Sequence, residues 1–138
     1  MNDISQNEVI TRFIFSSKHF ARGNKTVKFR AFMPPQVSKE VSTYSDSLSV
    51  YRISGISDSQ IWEIGREHVQ TENRLIKARA DISIEDVYKN NLRVVPDMQP
   101  HHRHANIMLF PADRLTCQRI ATKLALASKL VIIPPEET

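Results

Sequence analysis

Three of the five histidines fall within four residues, in the segment Asp97-Met98-Gln99-Pro100-His101-His102-Arg103-His104. Imidazole is the commonest transition-metal ligand and the natural acid–base group near neutral pH. If the strand that follows has begun by Arg103, His102 and His104 share a face, and Asp97 can add an oxygen. Asp97, His102 and His104 are therefore the candidate metal ligands. No H-E-x-x-H, no paired cysteine and no second acidic cluster accompanies them, so a metal is not favoured and no cofactor is expected. Without a metal, His104 is the candidate general acid or base, with Arg103 or Arg52 holding an anionic substrate. The simpler reading has His104 capping the strand through a hydrogen bond to a carbonyl.

The second feature is a run of positive charge. Between Glu8 and Glu40 there is no acidic residue, while Arg12, Lys18, Arg22, Lys25, Lys28, Arg30 and Lys39 give +7 in a chain whose net charge is +4. Such asymmetry creates a positive field on the side that this segment occupies. Phosphate backbones are attracted to such a field, and phenylalanines on strands can stack on bases. The candidate anion- or nucleic-acid-binding residues are Arg22, Lys25, Lys28, Arg30, Arg52 and Arg103. Equally, Phe13, Phe15 and Phe29 alternate as core residues do, and a solvated basic face accounts for the pattern without a ligand. No RRM, KH, zinc-finger or helix-turn-helix signature is present.

The single cysteine, Cys117, excludes a disulfide within the chain. Pairing it with His104 suggests cysteine–histidine catalysis, but Cys117 lies on an apolar helical stripe and reads as a buried small hydrophobe. Only 3 glycines in 138 residues argue against a Gly-rich phosphate loop. No apolar run approaches the roughly 20 residues that cross a membrane. The N-terminus lacks the basic start and apolar stretch of a secretory signal, so a cytoplasmic location with no membrane partner is expected.

These groups need elements to hold them. Alternation predicts strands over 12–16 and 26–33, joined through a Gly23-Asn24 turn and stopped by Pro34-Pro35. A serine-rich surface loop is expected over 36–47, then a strand at 48–53. Ser57-Asp58-Ser59-Gln60 has the form of a capping box and opens a helix to about residue 72. A short strand at 75–80, a helix starting near Ser83, and strands at 92–95 and 105–110 follow. A last helix over 112–128 carries Cys117, Ile120, Ala121 and Leu124 at helical spacing, and residues 130–133 read as an apolar tail. The order predicts one α+β domain over 1–138, with a mostly antiparallel or mixed sheet beginning with an N-terminal β-hairpin, and about three helices packed on one face. Residues 1–10 and 134–138 are expected to fray.

Three functions fit. The first is a small basic binding or accessory module that contacts nucleic acid, a nucleotide or another polyanion. The second is a His104-dependent hydrolase or transferase acting on a phosphate-containing substrate. The third is a protein-interaction subunit of a larger complex, docking a protein partner through the Pro34-Pro35 loop or the apolar tail. Whether the chain is an enzyme stays open at this point.

Overall fold

The computed structural model describes residues 4–37 and 44–135. Strand β1 (Val9–Ile14) carries apolar side chains on both faces: Ile10 and Ile14 enter one core, Phe13 another. A strand of this kind must be covered on both sides. The chain then makes a 3-10 turn (Ser17–His19) and a small hairpin of β2 (Phe20–Ala21) and β3 (Thr26–Val27), followed by a second 3-10 helix (Phe29–Phe32). Next come β4 (Ser47–Arg52), α1 (Asp58–His68), β5 (Ala78–Ser83) and α2 (Ile84–Lys89). The chain continues through β6 (Arg93–Pro96), β7 (His104–Met108), α3 (Arg114–Ala127) and β8 (Lys129–Ile132). Six strands form one antiparallel sheet in the order β6-β7-β4-β1-β5-β8, so β1 is interior and β6 and β8 are the rims.

The α+β architecture and the antiparallel sheet match the sequence expectation. Helices α2 and α3 cover one face, where Cys117, Ala121 and Leu124 are fully buried against Ile10, Val50, Ala80 and Ile107. The three helices do not share one face as expected: because β1 is apolar on both sides, α1 covers part of the other face, with Ile61, Trp62 and Ile64 packed on Phe13, Tyr51 and Ile76. Its start is the capping box expected from Ser57 and Gln60: the Ser57 hydroxyl accepts from Gln60 N at 3.2 Å, and Gln60 Oε1 accepts from Ser57 N at 2.9 Å. Its seat needs Gly65, where a Cβ would stand 2.5 Å from Ile76 Cδ1 and 2.8 Å from the Phe13 ring.

Three local expectations change. The predicted 26–33 strand is a strand only at Thr26–Val27; residues 29–32 wind into the 3-10 helix and bury Phe32 completely, which straight alternation would have turned outward with Lys28 and Arg30. The partner of β1 is thus not this segment but β4 and β5. The apolar tail is strand β8, paired with β5 from Ala78↔Ile132 to Asp81↔Lys129. Order at the N-terminus starts before residue 10, since Val9 and Ile10 are in β1 and Ile4 packs on the core. Of the 36–47 loop, residues 38–43 lie outside the described residues; Gln36 and Tyr44 form an antiparallel bridge.

Arg79 fastens α1 to the sheet. Its guanidinium is 3% exposed, donates to Asp58 at the start of α1 (2.6 Å) and to Asp81 on its own strand (3.1 Å), and lies 4.8 Å from the Trp62 ring centroid. A buried cation needs such partners, and one removed from the set leaves the others uncompensated. Arg79→Met keeps the stem against Trp62 but strips Asp81 of its counter-ion. The expected loss is about 3 kcal/mol of stability, read from urea denaturation midpoints at unchanged m-value.

Candidate functional site

The cations gather on the α3 side of the sheet. There the β2–β3 hairpin and the Phe29–Phe32 3-10 helix pack against α3. Residues 16–37 and 114–135, which build this layer and its adjoining rim, contain nine lysines and arginines and no aspartate or glutamate. Against the net +4, the rest of the chain carries −5. Lys18, Lys28 and Arg30 rim a groove of about 340 Å3 floored by Phe29, Thr122 and Leu126. Leu126 is 80% exposed, and the Arg30 guanidinium lies 5.6 Å from the Phe29 ring centroid. Arg119 and Lys123 stand one turn before Thr122 and Leu126 on the same exposed stripe of α3. The helix begins with Asp113 as N-cap, which accepts from Thr116 N at 2.9 Å. That carboxylate is about 20 Å along the axis from Leu126.

The sequence-derived anion set is divided among three places. Lys28 and Arg30 border the groove, and Arg22 is exposed near the hairpin turn. Lys25 takes the left-handed conformation (φ 52°) that closes the turn, and it faces a separate cleft with Asp58, Asp81 and Lys129. Arg52 and Arg103 line a third cleft, of about 360 Å3, with Glu8, Ser54 and His102. In that cleft Arg52 is doubly bonded to Glu8, Nε to Oε1 and Nη2 to Oε2, both at 2.9 Å. Arg103 donates through Nη1 to the carbonyls of Arg52 (3.2 Å) and Ser54 (3.3 Å). Both arginines brace the end of β4.

His104 is not in that cleft. It is buried on the opposite face of the sheet, where its Nδ1 lies 2.9 Å from the Asp97 carbonyl and its Nε2 2.6 Å from Ser49 Oγ. Donation from Nδ1 to the carbonyl leaves Nε2 to accept from the serine hydroxyl. The strand-end cap expected for His104 is therefore present, and a serine is added to it. Asp97 Oδ2 is 3.7 Å from Nδ1. His102 instead stacks on His101 at 4.3 Å, and His101 meets His68 edge-on at 4.8 Å. Burial, then the neighbouring His102 and His68, hold His101 below its ordinary pKa. Among the described residues no three His, Cys, Asp or Glu side chains surround a common point, so Asp97, His102 and His104 do not form a chelating set. Cys117 is fully buried, and burial pushes its thiol up to about 11, which removes the thiolate a cysteine nucleophile needs.

Sequence reasoning missed Arg119 and Lys123, although the same signal pointed to them: no acidic residue occurs between Asp113 and Glu136. It also missed Ser49, for which no sequence signal exists, since the contact depends on the β4–β7 register. Compared with known proteins, the chain matches no family model, no curated protein and no solved structure. No helix among the described residues is long and apolar enough to cross a membrane.

The Glu8–Arg52 pair carries a pH signature. Hydrogen bonds from Arg52 hold the Glu8 carboxyl below its ordinary range. A carboxylate lowered in the folded state stabilises fully above its unfolded pKa, and the contribution is lost as pH falls through the folded value. Glu8→Gln is expected to cost about 1 kcal/mol at neutral pH, with the gap to wild type closing below about pH 4, in urea titrations across that range.

Proposed function

We propose that this protein is a nucleic-acid-binding module that uses the layer of the β2–β3 hairpin, the Phe29–Phe32 3-10 helix and α3. The observation that supports the reading is the absence of any carboxylate from residues 16–37 and 114–135, alongside nine cations of which only Lys25 and Lys129 border the cleft with Asp58 and Asp81. Lys18, Lys28, Arg30, Arg119 and Lys123 supply phosphate contacts. The groove between them has an apolar floor with a half-buried phenylalanine, a surface on which a base or sugar can rest. Carboxylates elsewhere leave this side as the natural approach for a polyanion.

A second reading, the hydrolase or transferase, rests on the 2.6 Å contact between Ser49 Oγ and His104 Nε2. In it His104 takes the serine proton as the hydroxyl attacks an acyl or phosphoryl centre. Arg52 and Arg103, expected to hold the anion, lie in another cleft, and Ser49 lines neither that cleft nor the basic groove. Release of nitrophenol from its phosphate and acetate esters, lost in Ser49→Ala and His104→Ala, is the result this reading requires. The protein-interaction reading loses its tail, which β8 uses within the sheet.

The nucleic-acid reading is tested by fluorescence anisotropy with labelled single- and double-stranded DNA and RNA at two salt concentrations. Binding is expected to weaken with salt, and Lys28→Glu with Lys123→Glu is expected to reduce it by about tenfold or more and to flatten the salt slope by about 2. Absence of binding at low salt, or equal binding by the double variant, rules the reading out.

A further inference from the structure

Past the end of β1 the chain opens a second basic cleft, of about 280 Å3, distinct from the groove on α3. Phe15 and Ser16 lie at its base. Arg12 enters from β1, His19 from the first 3-10 turn, Arg30 from the second 3-10 helix, and Arg74 from the turn after α1. That turn is fixed by reciprocal main-chain bonds between Thr71 and Arg74 (3.2 and 3.1 Å). Four separate segments thus bring three arginines and a histidine to the lining of one space.

No carboxylate lines it, and none of the three arginines forms an ion pair with a described residue. The contrast with the rest of the molecule is informative. The buried guanidinium of Arg79 sits on Asp58 and Asp81, and Arg52 sits on Glu8. Arg12 has only carbonyls: Nε donates to Ala31 O at 3.2 Å and Nη1 to Ser49 O at 3.0 Å. Arg74 is held flat, 4.1 Å from the centroid of the Phe15 ring. Arg12 and Arg74 are thus positioned before any ligand arrives, which reduces the ordering cost of binding. Converging like charges in a shielded site are unfavourable until an anion joins them. Burial and the charge of Arg74 pull Arg12 down to about 10, and burial followed by Arg30, Arg12 and Arg74 lowers His19.

We propose that the Arg12–Arg30–Arg74–His19 cleft is a binding site for a phosphate dianion, as inorganic phosphate or as a small phosphate monoester. Planar guanidinium forks match tetrahedral oxyanions through paired N–H donors. A space of about 280 Å3 suits a phosphate with a small substituent rather than a polymer. Arg30 borders both spaces, but Arg12, Arg74 and His19 do not line the α3 groove, so the site does not depend on the nucleic-acid reading.

The test is isothermal titration of the full chain with inorganic phosphate and, separately, with glycerol phosphate, at constant ionic strength set by chloride. Alongside it, the His19 ring proton is titrated by NMR. Saturable binding of at least one probe is expected, weakened by about tenfold or more in Arg74→Ala and only partly restored in Arg74→Lys, which keeps the charge but not the fork. Bound phosphate should raise the His19 pKa, because it offsets the surrounding arginines. Preference for one probe over the other separates the free ion from the monoester. Lys28→Glu with Lys123→Glu should leave phosphate binding largely intact, so failure of the groove and failure of this cleft are distinguishable. If Arg74→Ala does not fold, Arg30→Gln made in the Lys28→Glu with Lys123→Glu background, where the α3 groove is already disabled, serves with the same expected loss. Heat no larger than with chloride, a static His19 pKa, or wild-type affinity in the arginine variants overturns the proposal.

Discussion

Strand β1 has neighbours on both edges and helices over both faces, so each of its side chains answers to a different part of the molecule. Ile10 and Ile14 hold the α3 core, and Phe13 holds α1. Thr11, fully buried, donates its hydroxyl to Ala80 O at 3.2 Å, and Arg12 reaches across to the main chain of Ala31 and Ser49. One six-residue segment thus sets the distance between the two cores, the position of the 3-10 helix and the alignment of β4. Long-range pairing of this kind makes the centre the last place where a change is tolerated.

The two cores are joined differently. The α3 side is closed by apolar surface alone, with small residues, Ala78, Ala80, Ala105 and Ala121, letting helix and sheet approach. The α1 side is smaller and relies on a buried guanidinium between two carboxylates, plus a glycine where the helix crosses Phe13. Charge follows the same partition. Asp58 and Asp81 lie on the α1 side, where they neutralise Arg79. The hairpin, the 3-10 helix and α3 from Arg114 onward carry lysines and arginines with no carboxylate among them. Both basic features derive from that imbalance, the groove along α3 and the cleft at the end of β1.

Much of this was readable from local chemistry. The Ser57–Gln60 box, the α3 stripe and the β4 and β7 strands depend on neighbours within a few residues, and each occurs where the pattern puts it. The 26–33 segment misled because Val27, Phe29, Ala31 and Met33 alternate cleanly; the fact that decides it, full burial of Phe32 under α3, is tertiary. The rim strand β8 is four residues long and too short to show a period. The excess of positive charge was legible as a count, but its division among a groove, a second cleft and a third lined by Glu8 depends on topology. Arg74 joins Arg12 only because the turn after α1 returns to the end of β1, which no spacing in the sequence encodes.

The two rims of the sheet have a bearing on the molecule's behaviour at high concentration. An open antiparallel edge is a template for further strands. Here each rim is only four residues long. Strand β6 ends in Pro96, which has no N–H to offer, and β8 starts with an exposed lysine, runs soon after into Pro134-Pro135, and lies against β3. A second copy arriving edge-on finds a ladder of a few rungs at most, interrupted by proline and repelled by charge. The short, proline-ended rims thereby keep neighbouring copies from zipping into a continuous sheet.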